Sequence, residues 1–259
     1  HMDLVTLIKI TTSIPLVFKP VLYNGFLYSD GAVGGGVTAG GGSSNAITGV
    51  LSAWADSIPG IVISGQENTR FIHSMENMRM WGIQGFDSAL MVDKITKYSS
   101  LIKDPSKSIY ELEKAYHIAG DERPGPVWVD YPMDIQGTKI PLNDLSHFKL
   151  PTKAVKSVSG SDLNKVLEMI SLSERPIFWL GHGVRLSGAA EKITSLLEKY
   201  KFPTLISWAG LDILEDSHSL NYGRAGVYGN RSANFVLQNS DLIIAIGNRM
   251  AIPMIGYEH

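Results

Sequence analysis

From Thr38 onward the chain alternates short β-type runs with amphipathic stretches of helical period. A chain patterned in this way folds as a parallel sheet covered by helices, so the expected class is α/β. Ile47, Val50, Leu51 and Trp54 fall at i, i+3, i+4 and i+7 and predict one apolar helix face. Pro59 punctuates the chain, and Gly60-Ile61-Val62-Ile63-Ser64 reads as a buried strand. A second helix carries Ile109, Leu112, Ala115 and Tyr116, and the strand Val127-Trp128-Val129 follows. Residues 137–160 are polar and rich in Lys and Ser, with Pro141 and Pro151 and no sustained period, and read as a linker. Beyond it a second series begins. Ser161 is the expected cap of a helix with Leu163, Val166, Leu167 and Ile170 on one face. Strand 176–180, a helix with Ile193, Leu196 and Leu197, strand 204–208, a helix at 230–239 and strand 242–246 complete it. The reading is two parallel-sheet domains, 1–136 and 161–259. Residues 1–35 are atypical: 4–10 and 14–22 have β-like composition but show no helix–strand alternation.

Composition removes several function classes. The chain has 259 residues, 44% of them hydrophobic and 19% charged, enough apolar material for two cores. The net charge is −2 and both signs are interspersed, so no nucleic-acid-binding stripe or membrane-surface helix is expected. No cysteine is present, which excludes disulfides and thiolate zinc sites. Apolar runs fall far short of the roughly 20 residues of a membrane helix, and no signal peptide is legible. The expected location is cytoplasmic. His1-Met2 reads as a non-native start, and the stop after Tyr257-Glu258 as that of a piece of a longer chain. The seven histidines show no paired spacing, so no metal site is expected, and no G-x-S-x-G elbow occurs.

The chemistry-bearing candidate is the cluster Gly34-Gly35-Gly36-Val37-Thr38-Ala39-Gly40-Gly41-Gly42-Ser43-Ser44-Asn45, which runs straight into the first helix. Glycines before a helix let the backbone approach a ligand and aim free N–H groups at it; they serve equally often as a plain connection. Ser44 or Asn45 is the expected cap. Met75, Met78, Met80 and Trp81 form a bulky cluster before Gln84, read as core or interface packing.

The run Thr38 to Gly49, then Asp56-Ser57-Ile58-Pro59 and Ile63-Ser64-Gly65-Gln66, resembles the pyrimidine-binding domain of acetolactate synthases, which use thiamine diphosphate. The likeness continues through Gln84-Gly85-Phe86-Asp87, Ile95-Thr96-Lys97-Tyr98 and the segment from Arg123-Pro124-Gly125-Pro126 to Gln136. Gly181-His182-Gly183, Gly210-Leu211, Gly223-Arg224-Ala225-Gly226 and Gly247-Asn248-Arg249 are similar to the family's Rossmann-like central domain. The resemblance implies decarboxylation of a 2-keto acid and transfer of a two-carbon unit, with thiamine diphosphate and magnesium, in a homo-oligomer. It points to Gly40, Gly42, Asn45, Gln66 and Gln84 on the pyrimidine side. Gly181, Gly183 and Arg249 stand where flavin-containing members hold FAD; in many relatives that domain is a spacer.

Two departures qualify the likeness. The family's activating glutamate stands about 25–30 residues before the glycine turn; here the first glutamate is Glu67, after it. The Gly-Asp-Gly segment that holds diphosphate through magnesium is missing, and Gly41 replaces the usual proline. No residue is therefore assigned as catalytic. The expected protein is a fragment or truncated homologue, inactive alone and without the diphosphate domain. The alternatives are a non-catalytic homologue that binds a nucleotide or partner, and an FAD- or NAD-dependent redox protein using the second domain.

Overall fold

The structure is a computed structural model that describes residues 21–23, 26–28, 40–74, 77–152 and 158–256. The expectations for residues 4–10 and for Gly34 to Gly36 lie outside them. The chain divides into two compact units, His1–Thr152 and Lys153–His259.

The first unit is built on a five-stranded sheet in the order β1-β2-β3-β5-β4. Its strands are β1 (Val21–Tyr23), β2 (Phe26–Tyr28), β3 (Gly60–Gln66), β4 (Tyr98–Leu101) and β5 (Pro126–Pro132). The pairs β2–β3, β3–β5 and β4–β5 are parallel, but β1 and β2 form an antiparallel hairpin at the edge. The sheet is therefore mixed rather than wholly parallel. β5 is buried on both faces, as a central strand must be. Val127 and Val129 face helix α1 (Ser108–Gly120), where Ala115 and Ala119 allow close approach. Trp128, on the other face, packs with Val50, Val62 and Val92. That second face carries the candidate site, because residues two apart on a strand share a side and Asp130 follows Trp128.

The helix Ile47–Asp56 forms as the period predicts, yet Val50 is its only buried residue and Leu51 and Trp54 stay exposed. The stretch read as a linker is partly anchored. Ser146 N–H donates to the Ser106 carbonyl (2.9 Å), Phe148 N–H to Glu113 Oε2 (2.9 Å), and the Phe148 ring meets Tyr110 edge-on.

The second unit has a parallel sheet in the order β7-β6-β8, with β6 (Pro176–Leu180), β7 (Thr204–Ile206) and β8 (Leu242–Ile246). Strand 204–208 is shorter than expected because Trp208–Gly210 turns into a 3-10 helix. Phe178, Leu180, Ile193, Leu197 and Ile206 form one core layer; Ile177, Trp179, Leu205 and Ala233 form the other. The helix Gly160–Leu172 is capped by Ser159, not Ser161: Ser159 Oγ accepts from Asp162 N–H (3.1 Å) while its backbone is extended, as a cap requires. No residue of that helix is buried.

β8 is held in register by Asp241. Its carboxylate accepts from Ser173 Oγ, Glu174 N–H (2.7 Å) and Arg175 N–H (2.9 Å), just ahead of the pairing of Pro176 with Leu242. These donors, the Ser173 hydroxyl first, hold the carboxyl down from 3.8 to about 2. A carboxyl lowered on folding contributes stability that is fully present above 3.8 and lost as pH falls through about 2. An NMR titration of the Asp241 side chain is expected to show a midpoint near 2, returning toward 3.8 in Ser173→Ala.

Candidate active-site region

The parallel register of β3 and β5 sets Ser64 opposite Asp130 and Gln66 opposite Pro132 at the carboxyl ends of the strands. Carboxyl ends are where open α/β sheets place ligands, because the connecting loops converge there. Asp130 is 1% exposed, and both of its oxygens are satisfied. Oδ1 accepts from Trp128 Nε1 (2.7 Å), and Oδ2 from Ser88 Oγ (2.5 Å), Ala89 N–H (3.3 Å) and Gln66 Nε2 (3.4 Å). Burial pushes this carboxyl above its ordinary value, against the pull of those donors.

Gln66, also 1% exposed, spends its whole amide internally. Nε2 donates to the Phe86 carbonyl (2.8 Å) as well as to Asp130, and Oε1 accepts from Glu67 N–H (3.0 Å). The side chain proposed to meet a ligand is thus enclosed, and its work is to join β3, β5 and the loop at 81–86.

Glu67 organises that loop from inside. Its Oε1 accepts from Ile83 N–H and Gln84 N–H, both at 3.2 Å. Trp81 and Gly85 close the loop with two backbone hydrogen bonds of 2.7 and 2.8 Å. Two glycines make room for the carboxylate. A Cβ at Gly85 would stand 2.5 Å from Glu67 Cγ, and one at Gly82, where φ is +58°, 2.8 Å from the carboxyl carbon.

The glycine turn rests on this loop. Gly40–Ala46 is a 3-10 segment, and Gly41 N–H donates to the Gln84 carbonyl (3.0 Å). Neither Ser44 nor Asn45 caps the helix that follows. Ser44 Oγ donates to the Gly41 carbonyl (2.7 Å) and Asn45 Nδ2 to the Gly42 carbonyl (3.1 Å). The 3-10 turn passes directly into the helix, so no extended residue stands at the N-terminus to act as a cap. The structure therefore brings Gly40, Gly42, Asn45, Gln66 and Gln84 into one neighbourhood. Glu67 and Asp130 are the residues that sequence reasoning left without a role. The pair Gly82 and Gly85 around a short loop was the available signal that something bulky lies beneath it.

In the second unit β6 lies beside β8 in parallel register, so the segments that follow their carboxyl ends are neighbours. Gly181 and Gly183 follow β6, and Gly247, Asn248 and Arg249 follow β8. The two loops meet backbone to backbone: Gly181 N–H donates to the Ile246 carbonyl and Gly183 N–H to the Gly247 carbonyl, both at 2.9 Å. A Cβ on Gly181 would stand 2.3 Å from the Gly247 oxygen, and one on Gly183 2.7 Å from Gly247 Cα. These glycines thus serve contact between the loops. His182 Nδ1 and Asn248 Nδ2, one on each loop, are buried without a hydrogen-bond partner among the described residues.

Two substitutions test the first-unit network. Glu67→Ala strands two N–H groups and is expected to cost about 1–3 kcal/mol, with faster hydrogen exchange at Ile83 and Gln84. Asp130→Asn turns an amide N–H toward existing donors and is expected to lose about 1–3 kcal/mol in denaturant unfolding, outweighing relief of the buried charge. Because the Asp130 carboxyl is raised on folding, its ionisation weakens the wild-type fold as pH climbs above 3.8; the Asn variant lacks that component.

Comparison with known proteins bears on both units. The family described as thiamine pyrophosphate enzyme, central domain, matches residues 163–256. The probable acetolactate synthase large subunit of Methanocaldococcus jannaschii is 33% identical over 241 residues, which is 90% of this chain and 39% of that protein. The acetolactate synthase large subunit of Lactococcus lactis is 32% identical over 87% of this chain and 38% of its own length. For the isozyme 1 large subunit of Escherichia coli the values are 31%, 84% and 37%. The chain thus spans less than two-fifths of the length of these relatives. It belongs to the thiamine-diphosphate enzymes of the acetolactate synthase type, over the part that it covers.

Proposed function

We propose that this chain supplies the pyrimidine side of a thiamine-diphosphate site, together with a central domain that serves as a spacer, and is not a complete catalyst by itself. The observation that carries the reading is the docking of the glycine turn on the Gln84 carbonyl at the carboxyl ends of β3 and β5. Gly40, Gly42, Asn45 and Gln84 are the residues proposed to face the pyrimidine, and Gln66 holds their framework from behind.

Thiamine diphosphate fits this arrangement in part only. The cofactor, when bound, would supply a nucleophilic carbon that adds to the keto carbon of a 2-keto acid and an electron sink for the pair left when carbon dioxide departs. Its activation needs a carboxylate free to meet the aminopyrimidine, and the buried acids among the described residues, Glu67 and Asp130, are committed to the loop and the sheet. No grouping of three His, Asp or Glu side chains suited to a metal ion occurs among the described residues either. No catalytic step is therefore assigned to this chain. In the proposed reading the diphosphate and its magnesium are held by another domain, and the assembly is a homo-oligomer acting on a 2-keto acid.

Calorimetry with thiamine diphosphate and magnesium is expected to show no binding tighter than millimolar by the 259-residue chain, and pyruvate is expected to release no carbon dioxide. Micromolar binding or turnover by the chain alone overturns the proposal. A second reading, a nucleotide held by the second unit beside Gly181, Gly183 and Arg249, is favoured by one observation, the buried unpartnered Nδ1 of His182 and Nδ2 of Asn248. Titration with FAD, followed by quenching of flavin fluorescence, tests it.

A further inference from the structure

The sheet of the second unit is taken up at one edge and open at the other. At β7, Tyr222 N–H donates to the Thr204 carbonyl (2.9 Å) and Ile206 N–H to the Gly223 carbonyl (3.0 Å), so residues 221–223 occupy that edge. β8 pairs with β6 alone, and among the described residues its outer N–H and C=O groups meet no strand. Its five residues, Leu242-Ile243-Ile244-Ala245-Ile246, include no charge, no Pro and no bulge, the devices that ordinarily blunt an edge strand. The register continues one face of the sheet from Ile177 and Trp179 to Ile243 and Ala245. Ile177 and Trp179 are 2% and 1% exposed where the helix Arg231–Asn239 packs on them, whereas Ile243 is 42% exposed and Ala245 is exposed too. Cover on that face stops at β6. Leu172, at the end of a helix tied to the head of β8 through Ser173 and Asp241, is exposed as well.

An open edge of this kind is satisfied by another strand, and β8 suits its own copy. Antiparallel pairing about Ile244 sets Leu242 opposite Ile246 and Ile243 opposite Ala245, apolar on apolar at every position. The two ends differ in charge: Asp241 precedes the strand, Arg249 follows it, and both are exposed. Antiparallel pairing brings the acidic end of each copy toward the basic end of the other, whereas parallel pairing sets like on like. A two-fold contact uses one patch twice, which is how most homo-oligomers assemble. We propose that β8 pairs antiparallel with β8 of a second copy of this chain, joining two three-stranded sheets into one across a two-fold axis at Ile244. A seam of this length falls short of the roughly 1,200 Å² buried by stable interfaces, so the dimer forms at micromolar rather than nanomolar concentrations. The thiamine reading places none of its residues in β8.

Sedimentation equilibrium of the 259-residue chain from about 5 to about 500 µM is expected to show the mean mass rising from one chain toward two. Ile243→Lys and Ala245→Glu, each at an exposed position, are each expected to weaken the dimer about tenfold or more, because two like charges then meet across the seam. Mixed one to one, the two variants are expected to recover association, since the register sets position 243 of one copy opposite position 245 of the other. Unchanged melting temperatures in dilute solution show that the fold is kept. Three results overturn the proposal. A chain that stays monomeric to about 500 µM leaves the edge to some other strand. A dimer whose affinity neither variant changes has its interface elsewhere, and a mixture no stronger than either variant alone refutes the antiparallel register. Failure here leaves the thiamine reading untouched, since that reading is tested by cofactor binding on residues of the first unit.

Discussion

A carboxylate removed from water needs donors on every side, and the first unit is arranged around meeting that need at Asp130. Its donors come from β5 itself, from β3 through Gln66 and from the turn at Ser88–Met91. The parallel register of β3 and β5 makes this possible, because it sets Gln66 two residues beyond Ser64, the residue opposite Asp130, and so on the same face. From Gln66 the constraint passes to the Phe86 carbonyl and, through Glu67, to the loop that carries Gln84 and receives the glycine turn. A one-residue slip of that register would turn Gln66 to the opposite face and detach the whole series.

Strands β3, β5 and β6 were legible as short apolar runs bounded by Gly or Pro, a signal carried by neighbouring residues; β8 was legible as the apolar run Leu242–Ile246, although alternate residues of it are exposed. Helices were legible as helices but not in what they bury. Leu51 and Trp54, and Leu163, Val166 and Leu167, keep the expected period and remain exposed. Period records what a face could cover; coverage is decided by segments far along the chain. The caps failed for a local reason: a Ser two residues early, or a 3-10 turn leading into the helix, gives almost the same sequence as the expected cap.

The candidate site divides along the same line. The glycine turn and Gln66 were legible as motifs, whereas the partners of Gln66 lie 20 and 64 residues away and no local pattern names them. In the second unit the glycines were visible, but their use was not. Sequence shows that a backbone can come close to something there; the structure shows that Gly181 and Gly183 come close to Gly247. Glycine patterns alone cannot separate a loop that meets a ligand from a loop that meets another loop.

The loop at 81–85 is held by groups that do not depend on the side chain at its tip. Ile83 is 88% exposed while its N–H is tied to Glu67, and Trp81 and Gly85 close the loop through backbone atoms alone. The identity of residue 83 is therefore decoupled from the shape of the loop that presents it. Such a position can diverge freely among homologues, exchanging one aliphatic or aromatic group for another, while the surrounding scaffold is inherited unchanged.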